Sequence, residues 1–140
     1  MTIEVSWGNP EHTVIHMNFV PGWTYEEVLT AMNDMADMLD TVQRPVVVIG
    51  DLRTSRFAPN LSVSTYKRIA ETRFLSHPNL ARFCLLGVQT YVRMLVITFG
   101  KLFPKAYVKF RMVETVEEAL QYLHPSKASK PHTDFLGMIV

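Results

Sequence analysis

Cysteine is almost missing from this chain: Cys84 is the only one among 140 residues. That excludes an internal disulfide and fits a protein of a reducing cytoplasm. Its setting, ARFCLLGV at 81–88, holds nothing that would lower a thiol pKa, so an inert buried thiol is expected. Long apolar runs are missing too. The run from Met94 to Ile97 is broken at Thr98, so no membrane span is expected. No basic segment leads into an apolar core at the start, and no signal peptide is expected. Gly22, Gly50 and Gly87 stand alone at turns or strand ends and form no phosphate cradle. The histidines, at 12, 16, 77, 124 and 132, are neither paired at helical spacing nor near the cysteine. Neither a metal nor a cofactor is expected.

Basic residues are absent from the first part of the chain. Glu4, Glu11, Glu26, Glu27, Asp34, Asp37 and Asp40 all precede the first of them, Arg44. From Arg44 to Arg111 the balance reverses, and only Asp51 and Glu71 are acidic. Such halves can pack against each other or against the opposite half of a second copy, and the basic half could meet an anion. No nucleic-acid signature and no interleaved stacking aromatics accompany the basic residues, so nucleic acid is not an expected partner.

What the chain does contain is a globular composition, 48% apolar and 19% charged, at a length suited to one core. IEVSW at 3–7 and TVIHMNF at 13–19 read as strands around the turn GNPEH, an opening hairpin. Thr24 and Glu27 form a capping box for a first helix with one apolar and one acidic face. Pro45 cannot continue that helix, and PVVVIGDL at 45–52 becomes a strand whose unbroken apolar run implies burial on both sides. A second helix is expected from about 61 to 75, a strand at 81–88, a third helix at 89–103 and a last strand, AYVKFRMV, at 106–113. Thr115 with Glu118 caps a final short helix to Leu123. The order ββαβαβαβα specifies a single α/β domain: a mixed sheet with parallel central strands and an opening hairpin. Residues 1–124 read as that domain, and 125–140 as a linker with an apolar tail.

This order, the Gly-Trp-Thr-x-x-Glu entry to the first helix at 22–27, Asp51-Leu52, and Thr-x-x-Glu-Ala-Leu at 115–120 resemble the STAS superfamily. The resemblance is to the SpoIIAA-like fold of anti-sigma-factor antagonists, in particular to its uncharacterised bacterial branch. The resemblance implies action through protein–protein contact, with a phosphorylated serine at the start of the second helix. The family sets that serine in Asp-Ser-Ser-Gly. Here the corresponding stretch is Pro59-Asn60-Leu61-Ser62, and the acceptor motif is absent. Asn60 or Ser62 suits a helix cap instead.

Ligands of open α/β sheets gather beyond the carboxyl ends of the strands. Asp51, Arg53, Ser55, Arg56, Asn60 and Ser62 therefore mark a candidate anion or ligand edge. The competing structural reading pairs Asp51 with Arg53 or has it cap the loop, and leaves Arg56 solvated. No base and positioned nucleophile accompany these residues, so no catalytic residue is assigned and a non-enzymatic protein is expected.

The third helix carries a different signal. Tyr91, Val92, Met94, Leu95, Val96, Ile97, Phe99, Leu102 and Phe103 surround it, with Arg93 and Lys101 as its charges. A helix apolar all round needs a second cover. The candidates are a second copy, making a homodimer, the apolar tail with Phe135 and Leu136, or an apolar ligand; alternatively Gly100 breaks the segment and much of it packs inside one chain. The antagonist-family resemblance adds an unknown protein partner to these expectations. The alternative reading is a carrier or sensor of a small amphipathic or lipid-like ligand, for which the methionines would make an adaptable lining.

Overall fold

The computed structural model describes residues 2–55 and 58–123. One sheet holds β1 (Ile3–Trp7), β2 (Val14–Phe19), β3 (Val46–Asp51), β4 (Leu80–Leu86) and β5 (Phe110–Val113), in that spatial order. β1 and β2 are antiparallel, and each following neighbour is parallel. The helices are α1 (Tyr25–Asp40), α2 (Val63–Ala70), α3 (Thr90–Leu102), α4 (Pro104–Tyr107) and α5 (Val116–Leu120), the last continuing into a 3-10 turn, Gln121–Leu123. The expected single α/β domain is present, with its parallel centre and opening hairpin.

Strand order equals chain order, and this settles where the helices go. Each crossover from β2 to β5 advances one strand in the same direction. Right-handed connections then put α1, α2 and α3 on one face of the sheet. The core divides accordingly. Ile15, Met17, Val46, Val48, Phe83 and Leu85 face the three helices, while Val47, Ile49, Cys84 and Leu86 form a smaller cluster with Val113 and Ala119 under α5. Every residue of β3 is buried, as its unbroken apolar run requires.

A capping box explains the start of α1. Thr24 Oγ1 accepts from Glu27 N at 3.2 Å, and the Glu27 carboxylate accepts from Thr24 N at 3.1 Å. That carboxylate also accepts from the backbone N and the hydroxyl of Thr2, tying α1 to the first strand. Asn79 closes the other end of α1 by donating to Leu39 O and Val42 O.

Two elements are shorter than expected. The helix expected over 61–75 stops at Ala70, where the Thr72 hydroxyl donates to Ile69 O at 2.9 Å and a turn begins. Phe74 and Leu75, expected inside it, are instead buried from that turn. The strand expected from 106 begins only at Phe110, because Pro104 opens α4. Gly100 does not break α3. It lets α4 fold back, since a Cβ there would lie 2.7 Å from the Tyr107 ring.

The charge division is partly resolved within the chain. Arg68 of α2 pairs with Glu26 of α1, and Arg73 pairs with Asp37 and Asp40, all at 2.6–2.9 Å. His77 meets Asp40 at 2.8 Å. The exposed arginine pairs add little stability, yet with the buried His77 they join the acidic helix to the basic segment that follows it.

Candidate functional site

At the carboxyl end of β3, Asp51 is 7% exposed. Its Oδ1 accepts from Arg53 N at 3.0 Å and Nε at 3.1 Å, and its Oδ2 accepts from Arg53 Nη2 at 2.8 Å. His16 Nε2 lies 3.4 Å from Oδ2. Hydrogen bonding from Arg53 holds the Asp51 carboxyl down at about 2, against the opposing effect of burial. Asp51 both caps the loop and pairs with Arg53, so this guanidinium is already committed to a carboxylate. Gly87 makes the close approach feasible: its φ is +73°, and a Cβ there would sit 3.0 Å from Arg53 Cα.

The other residues of the proposed edge separate. Ser55 is 2% exposed, and its hydroxyl oxygen accepts from Trp23 Nε1 at 2.7 Å. It is part of the core instead of a surface hydroxyl. Ser62 caps α2, accepting from Thr65 N at 3.2 Å, with Ser64 Oγ and Thr65 Oγ1 each 3.0 Å away. Asn60 is exposed and takes no part in the cap. Arg56 lies outside the described residues.

A cavity of about 100 Å³ lies between the sheet and the three helices, walled by Trp23, Tyr25, Leu61, Tyr66, Val92, Leu95 and Phe99 among others. The polar tips of its aromatic walls are engaged elsewhere. Tyr25 OH donates to Pro59 O and Tyr66 OH to Leu95 O, each at 2.9 Å, while Trp23 is held by Ser55. Burial raises the Tyr25 hydroxyl to about 12 and raises Tyr66 as well, so both remain neutral donors. The space thus offers contact with an apolar group and no ionisable handle. Scattered residues from three helices assemble it, and no local sequence pattern marks them.

The third helix divides into three sides. Val92 and Phe99, expected on a contact surface, are buried against the core instead, one stripe at i and i+7. Leu95, Val96 and Phe103 are half-buried. Tyr91, Met94 and Leu102 remain 47%, 65% and 49% exposed, and Val63 at the start of α2 is 69% exposed. Phe135 and Leu136 lie outside the described residues.

Cys84 is fully buried, and burial pushes its thiol up to about 12. Among the described residues no cluster of three His, Cys, Asp or Glu could hold a metal ion. Among them, too, no helix is long and apolar enough to cross a membrane.

No protein-family model matches this chain, and no curated protein matches it in sequence. Among solved structures it is similar to an uncharacterised protein from Shewanella loihica PV-4, of the DUF3478 family and with a SpoIIAA-like fold. The likeness spans 86% of this chain and 91% of that one, with a TM-score of 0.53 and 14% identity. Identity that low speaks for the fold alone: this chain has a SpoIIAA-like α/β fold.

Proposed function

We propose that this protein is a non-enzymatic STAS-like interaction module that works through the outer side of α3 and forms a homodimer there. The observation that carries this reading is the exposure of Tyr91, Met94 and Leu102 on a helix whose inner stripe is already satisfied. Each such side chain gains about 1.5–3 kcal/mol when it is fully buried. Exposed apolar surface of this kind marks contact sites, and closed two-fold pairing is the commonest way to cover it. Lys101 and Lys105, exposed on and just beyond α3, would orient the partner more than strengthen the contact.

Sedimentation equilibrium tests this. The wild type should be dimeric at micromolar concentration, and Met94→Glu should be monomeric with its heat-unfolding unchanged. Phe99→Glu is the wrong probe, because it would place a charge in the core. Removing residues 134–140 separates the remaining cover: a dimer that persists assigns the contact to α3 itself. A monomeric wild type at high micromolar concentration refutes the homodimer.

A second reading rests on the cavity. An engineered apolar cavity of roughly 150 Å³ admits benzene. The present one is smaller, so it suits a short apolar branch of a ligand and not a whole lipid. Native mass spectrometry of the purified protein tests for a retained small molecule.

A further inference from the structure

We propose that the amino end of β4 and β5, on the face away from the three helices, is a binding site for a phosphate group held by Arg82 and Arg111. Strand pairing creates the site. Arg111 is the partner of Cys84 in the β4–β5 register, and Arg82 that of Val47 in the β3–β4 register. Cys84 and Val47 both belong to the second-face cluster. The two guanidinium carbons lie 5.7 Å and 5.6 Å from the centre of one ring, Tyr122.

Burial and the lack of a charged partner among the described residues together set Arg111 apart. Arg111 is 5% exposed, and Arg82 is half-buried. Arg111 Nη1 donates to Val108 O at 3.0 Å and Phe110 O at 2.7 Å, and Arg82 Nη1 donates to Ala81 O at 2.7 Å. Among the described residues, the Nε of each is buried without an acceptor. Among the described residues no carboxylate pairs with either, as is also true of the exposed Arg44 and the half-buried Arg93, whereas Arg53, Arg68 and Arg73 each have one. Glu118, on the α5 helix over this face, accepts from Glu114 N at 3.3 Å. Lys109 adds a third cation, its Nζ donating to His77 O at 2.8 Å. Burial, and after it the neighbouring Arg82, lower its pKa.

A buried cation ordinarily has a charged partner, because carbonyls and a ring face compensate it only in part. Among the described residues neither Nη2 has an acceptor, and two planar donors over one ring with those ends open form an arrangement that clamps an oxyanion. Three positive charges favour a dianion over a carboxylate, so a phosphate monoester is the ligand class. This site is independent of the α3 contact and lies at the opposite end of the strands from Asp51.

The test is heat-unfolding in inorganic phosphate, and separately in glycerol phosphate, against chloride at equal ionic strength. A ligand that binds only the folded state raises its melting temperature. About 20 mM phosphate should raise that of the wild type by about 3 °C or more. Arg53→Gln should respond equally, and Arg82→Gln should lose the response. Arg82 is half-buried and makes one carbonyl contact, so its variant should fold where Arg111→Gln fails to. No phosphate effect on the wild type, or an equal effect on Arg82→Gln, overturns the proposal.

Discussion

At the carboxyl end of the strands Arg53 meets Asp51 through two side-chain hydrogen bonds, whereas at the amino end Arg82 and Arg111 meet backbone carbonyls and a tyrosine ring. The faces differ in the same spirit. Three helices cover one side of the sheet, and a short helix with a 3-10 turn covers part of the other. Beside that turn a groove remains between the hairpin and α5, walled by Val14, Ile49, Val116 and Leu123. An arginine two residues from an aspartate is neutralised locally, while arginines brought together by strand pairing need not be. A basic residue near a strand end is therefore informative only once its acceptors are counted.

Adjacent leucines give the largest test of the two faces. Leu85 packs toward the helices and Leu86 into the second-face cluster. Each change to Ala should cost about 2–5 kcal/mol, set by how far the surroundings can settle. Leu85→Ala should lie at the upper end, because three helices hold its surroundings open. Leu86→Ala should lie lower, since one short helix can move in. Urea denaturation of both variants measures the difference, and equal costs would mean equally rigid covers.

Much of this architecture is legible in the sequence, for local reasons. Thr24 with Glu27 and Thr115 with Glu118 announce helix starts because capping acts over three residues, and VVVI announces a central strand because both its sides are covered. The end of α2 is not legible, since the Thr72 hydroxyl and the burial of Phe74 decide it together. On α3, periodicity shows apolar residues all round but does not say that Val92 and Phe99 form the inner stripe. The pairing of Asp51 with Arg53 follows from their spacing. The meeting of Arg82, Arg111 and Tyr122 does not, because it needs the β4–β5 register and the final turn.

Acid should sharpen the contrast between the strand ends. Asp51 titrates near 2 in the folded protein, below the roughly 3.9 of an unfolded chain. Its stabilisation is therefore complete above about pH 4 and is lost as the pH falls toward about 2. Asp51→Asn should cost about 1–2 kcal/mol near neutral pH, discounted for the exposed side of Arg53, and the gap to the wild type should close in acid. Unfolding curves at several pH values check this, and a gap independent of pH would remove Arg53 as its source.

Ser62→Ala should have the smallest effect, about 0.5–2 kcal/mol from the lost cap, with the assembly state unchanged. Stoichiometric phosphate on Ser62 in protein isolated from its host would contradict a purely structural role.

The α3 contact is tested most directly by methyl NMR of methionine-labelled protein over a dilution series. Met94 is 65% exposed on the outer side of α3, while Met17 and Met35 are fully buried and serve as internal references. The Met94 resonance should shift between low and high micromolar concentration while Met17 and Met35 hold still, and Leu102→Glu should abolish the shift. A Met94 signal constant across the series, with monomer-like diffusion throughout, would contradict homodimerisation through α3.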